Sequence, residues 1–274
     1  MGSPRFHPVI IFMENPGVIS LLTDFGYSDW YVGTMKGVIY SINPHARIVD
    51  ICHTAKPHHI IGGAFMLSAS YRYFPGGTIH AAVVDPGVGG QRKPIIVKTE
   101  RYYFVAPDNG LLSFVLEAEK MLKMVEIVNS KFFLKPVSRT FHGRDIFAPA
   151  AAYLSKGVPI EEFGREISKI IRIEAPKPVL LGGRKARGHV LYIDTFGNAI
   201  TDVPSSILSG YFRLIIKGTV IEAVYDSYSQ ASDGEVFGII GSYGNLEIAV
   251  KEGSAAARLS LKEGDEFTIE GIGG

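Results

Sequence analysis

The chain has 274 residues, 46% of them apolar and 20% charged, which is enough for a full core and for two domains, since single cores stop growing near roughly 250–300 residues. Lys and Arg (28) balance Asp and Glu (27) to a formal net charge of +1, and no basic tail or stripe is present to attract nucleic acid or anionic lipid. One cysteine, Cys52, excludes an intrachain disulfide and a thiolate metal cluster, and no apolar run reaches the roughly 18 residues a membrane span needs. The expected compartment is reducing, the cytoplasm.

Residues 1–17 hold a short apolar run at 9–13 but no basic start, long apolar region or small-residue cleavage site, and read as an extension ahead of the fold. Residues 18–22 then read as a buried strand that ends in Thr23-Asp24-Phe25-Gly26. Tyr31, Met35, Val38, Ile39 and Ile42 recur at helical spacing, and Pro44 stops that helix. A short strand at 47–51 follows and carries Cys52 at its end as a small buried hydrophobe. A helix at 59–71 comes next, then a continuous apolar strand at 78–84 of the kind covered on both faces. Residues 94–99 and 102–106 form a hairpin-like pair, and 110–119 and 148–154 read as helices. Strands alternating with helices predict an α/β domain with a mostly parallel sheet over 18–178. Pro and Gly cluster without periodicity at 174–187. Beyond them only short strands appear, at 188–193, 199–203, 212–216, 219–223, 236–240, 246–250 and 267–269, which predicts a small all-β, barrel-like domain over 187–274.

Tight polar turns follow the apolar runs, and loops on a rigid scaffold are where chemistry is carried. Asp24 follows an apolar strand, where ligands bind in open α/β sheets. Its carboxylate can accept two hydrogen bonds from a ribose diol, and a helix N-cap suits the position equally well. Asp85-Pro86-Gly87-Val88-Gly89-Gly90 lies after the buried strand, with Arg92 close behind. An Arg beside an Asp keeps that acid ionised, whereas the plain alternative is a glycine-rich turn with a surface ion pair worth roughly 0–1 kcal/mol. His142, in Phe141-His142-Gly143-Arg144-Asp145, is either a surface or capping residue or a general acid/base paired with a carboxylate. His58 and His59 could join such groups at a metal, but no His-Glu-x-x-His spacing occurs, and no metal is expected.

Thr23-Asp24-Phe25-Gly26, the Asp85 loop, Phe141-His142-Gly143-Arg144-Asp145, Asp194-Thr195-Phe196-Gly197-Asn198 and Gly241-Ser242-Tyr243-Gly244 with Ala255-Ala256 occur in order. Together they resemble the adenosine-forming S-adenosyl-L-methionine (SAM) hydrolases, or SAM hydroxide adenosyltransferases, relatives of the fluorinase and chlorinase. The resemblance runs from about Val18 to the C-terminus. It implies hydrolysis of SAM to adenosine and L-methionine without cofactor or metal, by a homotrimer whose sites lie at subunit interfaces. Carried onto this chain, the water-handling triad, absent from the halogenating relatives, is Asp85, Arg92 and His142. Asp24 grips the ribose, Asp194 lies near the amino-acid portion and Asn198 near the adenine edge. Ser242, Tyr243, Glu247 and the backbone around Val250 complete the pocket. Gly-Ser-Tyr-Gly departs from the Ser-Arg-Gly of the halogenating members. Two other classes remain distinct alternatives: a non-catalytic SAM or adenosine sensor, which binds without turnover, and a metal-dependent nucleotide hydrolase, which stops with a chelator.

Overall fold

The computed structural model describes residues 17–208 and 210–271, so the apolar run at 9–13 lies outside the described residues. The chain divides into two compact units, the first ending at Ile173 and the second beginning at Glu174. Among the described residues no helix is long and apolar enough to cross a membrane.

The first unit opens with β1 (Val18–Thr23), all six residues of which are buried. α1 (Tyr31–Ile42) buries Val32, Met35 and Ile39 at the spacing of one helix face. β2 (Arg47–Cys52), α2 (Ile60–Ser70), β3 (Ile79–Val83), β4 (Pro94–Thr99), β5 (Tyr103–Pro107), α3 (Val115–Ala118), β6 (Met121–Ile127), α4 (Ala148–Ser155) and β7 (Gly164–Glu166) follow. Among the described residues the strands form a seven-stranded sheet in the order β2-β1-β3-β5-β4-β6-β7.

That sheet is mixed, which corrects the expectation of a mostly parallel one. The β1–β2, β1–β3 and β3–β5 pairs are parallel, while β4–β5, β4–β6 and β6–β7 are antiparallel. A parallel pair needs a crossover connection, and α1 and α2 supply two of them. β4 and β5 are joined instead by a tight turn, with Thr99 N–H donating to the Tyr102 carbonyl, and a turn that short fixes an antiparallel partner. The helix expected at 110–119 shrinks to α3, because Gly110 adopts a φ of +98° and β6 claims the chain from Met121 as the antiparallel partner of β4.

One face of this sheet packs Ile19, Leu21, Ile79, Ala81 and Val83 against Met35 and Ile39 of α1 and Ala148 and Ala151 of α4. The alternate residues Ser20 and His80 go to the other face, as the two-residue period of a strand requires. There Ser20 Oγ lies 2.7 Å from His80 Nδ1, and the His80 ring stacks on Phe104 beside Tyr71 and Tyr102. Burial pushes His80 down to about 3, so it is a neutral core histidine.

The second unit contains β8 (Val179–Gly182), β9 (Lys185–Ile193), β10 (Ala199–Pro204), β11 (Arg213–Ile216), β12 (Thr219–Ile221), β13 (Val224–Tyr225), β14 (Val236–Ile240), β15 (Asn245–Val250), α5 (Ala255–Leu259) and β16 (Glu266–Glu270). Among the described residues these strands form a nine-stranded sheet in the order β12-β11-β16-β9-β10-β15-β14-β13, with β8 added on β9. The sheet curls until it nearly closes, and a Cβ on Gly238 of β14 would meet Leu214 of β11 at 3.5 Å. Ala186, Val190, Leu214, Leu246, Ile248 and Phe267 fill the interior. The barrel-like expectation therefore holds, while β8 occupies part of the stretch read as an aperiodic connection.

Candidate active site

β2, β1 and β3 are neighbouring parallel strands, so their carboxyl ends open on one rim of the sheet, the position where open α/β sheets bind ligands. Asp24 follows β1 and is half-buried. Its Oδ2 accepts a 2.9 Å hydrogen bond from His58 N–H. It does not cap α1, whose N-cap is Trp30 with no side-chain cap bond. Cys52, at the end of β2, is half-buried and not fully so, because the chain leaves the sheet there.

Asp85 lies two residues beyond the end of β3. Its loop is closed by Val88 N–H to the Asp85 carbonyl at 3.3 Å and Gly90 N–H to the Gly87 carbonyl at 3.0 Å. Gly89 has a φ of +74°, and a Cβ there would lie 2.2 Å from the Arg139 carbonyl oxygen. The glycine is needed twice, for a left-handed backbone and for that close approach, and the approach docks the Asp85 loop on the segment leading to His142.

Arg92 Nε lies 3.0 and 2.9 Å from Asp85 Oδ1 and Oδ2, and Nη2 is 2.5 Å from Oδ2. The Arg92 and Asp85 side chains are only 8% and 4% exposed, which removes the surface-ion-pair alternative. The same Nη2 lies 2.7 Å from His142 Nδ1, and the guanidinium packs over the Phe147 ring at 5.4 Å. His142 precedes and Phe147 ends a π-helical turn, Gly143–Phe147, that runs directly into α4. Such turns recur at functional sites. His142 makes no capping bond. Burial, then the Arg92 charge, holds it below the ordinary histidine value of 6.5, against the pull of Asp85, Asp145 and a hydrogen bond to the Ser138 backbone.

A guanidinium can only donate, so His142 Nδ1 is the acceptor of this bond and the proton of the neutral ring sits on the other nitrogen. The three side chains thus form one directed chain, with Arg92 donating both ways. Phe25 and Phe141 meet edge to face at 5.7 Å, which ties the Asp24 turn to the His142 segment. Among the described residues no three His, Cys, Asp or Glu side chains are grouped as metal ligands.

In the second unit, Asp194 closes the turn between β9 and β10. Its Oδ1 accepts from Phe196 N–H at 2.9 Å and Asn198 N–H at 2.8 Å. Asn198 Nδ2 lies 3.2 Å from both Asp194 Oδ2 and Tyr228 Oη, and Tyr228 O–H donates to Glu247 Oε2 at 3.4 Å. Burial and the Asp194 charge raise the Glu247 pKa, and burial with both carboxylates pushes Tyr228 up to about 12. Glu247 lies over Gly241, where any Cβ would fall 1.6 Å from Oε1. Asp194, Asn198 and Glu247 are therefore brought together. Ser242 and Tyr243 sit in the β14–β15 turn, and Val250 ends β15 at the opposite end of that strand. Tyr228, which joins the cluster, has no counterpart among the residues picked from sequence. Its local signal was the Ser227/Gln230 capping box around the short 3₁₀ turn that carries it.

The description of the SAM hydroxide adenosyltransferase N-terminal domain matches residues 19–164, and that of the C-terminal domain matches residues 188–268. The chain is similar to the (R)-S-adenosyl-L-methionine hydrolase of Thermus thermophilus, 36% identical over 253 residues that cover 90% of this chain and 96% of that protein. It is also similar to the (R)-S-adenosyl-L-methionine hydrolase of Methanocaldococcus jannaschii, at 34% over 92% of this chain and 95% of that protein. A fluorinase of Actinoplanes is more distant, 28% identical over 93% and 97%. A solved structure from Thermotoga maritima superposes with a TM-score of 0.87 at 40% identity, covering 92% of this chain and all of that one. With both domain descriptions met across the two units, this chain belongs to the SAM hydroxide adenosyltransferase family.

Proposed function

We propose that this protein hydrolyses SAM to adenosine and L-methionine by attack of water on ribose C5′, with neither metal nor cofactor. The observation that carries this reading is the half-buried Asp85–Arg92–His142 chain beside Asp24 on one rim of the first sheet. The sulfonium leaves as a neutral thioether, so no acid has to protonate it. The C5′–O bond forms as the C5′–S bond breaks, and sulfur keeps the electron pair. What the protein supplies is a positioned water and an acceptor for its proton.

Asp85 is that acceptor. Arg92 spends two of its bonds on Oδ2 and one on Oδ1, and each carboxylate oxygen offers about two lone-pair sites, so Oδ1 keeps acceptor capacity for the water. His142 has already committed Nδ1 to Arg92. It holds the guanidinium that in turn holds Asp85. Arg92 also opposes the negative charge that develops on the attacking oxygen.

Asp24 takes the ribose diol in this reading. Asp194 takes the ammonium of the methionine portion and Asn198 the adenine edge, with Ser242, Tyr243, Glu247 and the Val250 backbone around them. The linkage of Asp194, Asn198 and Glu247 supports their acting as one binding surface. The hydrolases of Thermus and Methanocaldococcus are named for the (R) form, and the (R) sulfonium epimer is the preferred substrate proposed here.

Incubation with each SAM epimer in excess EDTA, followed by chromatography, yields equal amounts of adenosine and methionine and faster turnover of the (R) form. Absence of adenosine, or activity that stops with EDTA, contradicts the reading, and tight binding without turnover points to a sensor. We further propose that the protein works as a cytoplasmic homotrimer whose subunits share sites. Light scattering then gives three times the 29.9 kDa chain mass, and a monomer overturns that part alone.

A further inference from the structure

A second chain of polar side chains lies beneath the Asp24 turn, and the reaction just described makes no use of it. Thr23 Oγ1 is 2.8 Å from His53 Nδ1, and both residues are fully buried. His53 Nε2 faces Asp50 Oδ1 at an ion-pair distance of 3.2 Å, and both atoms are buried with no hydrogen-bond partner. Asp50 Oδ2 accepts from Lys36 Nζ at 2.6 Å. A carboxylate only accepts, which puts the His53 proton on Nε2 and leaves Nδ1 to accept from the Thr23 hydroxyl. The Thr23 oxygen then accepts Phe25 N–H at 3.3 Å.

The backbone runs parallel to this chain. Gly26 N–H donates to the His53 carbonyl at 2.6 Å, His58 N–H donates to the Asp24 carboxylate, and the Tyr27 ring meets the His53 ring edge-on at 5.1 Å. Thr-His-Asp order invites comparison with a nucleophilic triad. Thr23 has no exposed surface, so no substrate reaches its hydroxyl. The polar chain ends on the backbone of the turn that aims Asp24.

We propose that His53, held by Asp50, is a positioning residue: through Thr23 and the Gly26 amide it fixes the Thr23-Asp24-Phe25-Gly26 turn and thereby the Asp24 carboxylate that receives the ribose diol. The proposal rests on the SAM reading above. His53 acts on substrate binding through Asp24 and takes no part in proton transfer from water, so its loss appears in KM more than in kcat.

The test is a double-mutant cycle on SAM turnover. His53→Ala raises KM about tenfold with a smaller change in kcat, and in an Asp24→Ala background the same substitution changes KM less than twofold, because the group it positions is gone. His53→Asn, which restores an acceptor near Nδ1, recovers part of the loss. Where His53→Ala does not fold, Thr23→Val carries the same cycle, since it removes the hydroxyl while keeping the shape. Equal fold-changes in KM with and without Asp24, or an unchanged KM in His53→Ala and Thr23→Val, overturn the proposal. A wild-type protein that does not turn over SAM overturns the functional reading itself, so the two failures are distinguishable.

Discussion

Asp85→Asn lowers kcat for SAM by about 10²- to 10⁴-fold, the range for removal of a positioned general base, and leaves KM within a few-fold. The amide keeps the size of the carboxylate and one acceptor for Arg92 but cannot take a proton from water. His142→Gln costs less than Asp85→Asn, because His142 Nδ1 is occupied by Arg92 and the ring acts through the guanidinium. The double variant is impaired far less than the product of the two single losses, as expected of groups that work as a unit. The wild-type pH profile carries the same logic. His142 is held below 6.5 by burial and by Arg92, and once protonated it no longer accepts from Arg92. A His142-dependent decline in kcat/KM therefore begins below pH 6.5 and is missing from the His142→Gln profile. A loss in His142→Gln that matches or exceeds that of Asp85→Asn would make the imidazole the base and contradict the directed chain.

Gly89→Ala damages both the fold and the reaction. The substituted residue has to hold a φ of +74° and place its Cβ 2.2 Å from the Arg139 carbonyl oxygen. Backbone strain and overpacking together cost on the order of 3 kcal/mol. Relief requires the Asp85 loop to part from the segment three residues ahead of His142. A displacement near an ångström at reacting groups costs about 10²-fold in rate, so kcat falls even where the protein still folds. Gly157→Ala is the control. Its φ of +85° is equally unfavourable, but nothing lies within 4 Å of its Cβ, so a melting curve registers a loss of about 1 kcal/mol while kcat is unchanged. Equal effects in the two variants would mean that the contact with Arg139 does not position the site.

The parts of this protein legible in sequence are those set by local chemistry. Asp24 and Asp85 stand at the ends of apolar runs, and the structure places both at the carboxyl ends of neighbouring parallel strands. The pairing of Asp85 with Arg92 follows from a tight glycine loop that sets them seven positions apart. Strand direction was not legible, because it depends on which strands meet across the sheet. β6 follows the charged stretch Glu117-Ala118-Glu119-Lys120, whose composition continues a helix, and it becomes a strand by pairing with β4. β8 lies in a Pro- and Gly-rich stretch and owes its extended form to β9. Tyr228 and His53 were missed for a different reason. Their significance lies in bonds to residues 19 and 30 positions away, and the capping box around Tyr228 marks a turn without pointing to its distant partners. Asp50 and His53 did stand three apart at a strand end, in the same stretch that drew notice for Cys52.

The central claim is that water attacks C5′ and that Asp85 takes its proton, and turnover in water enriched in the heavy oxygen isotope tests it most directly. With EDTA present, mass spectrometry of the products then finds one heavy oxygen in the 5′-hydroxyl of adenosine and none in methionine, and in Asp85→Asn the rate at which labelled adenosine forms falls by about 10²- to 10⁴-fold. Methylthioadenosine with the label in homoserine would place the attack on the methionine chain instead. That result, or adenosine formed without label, contradicts the account.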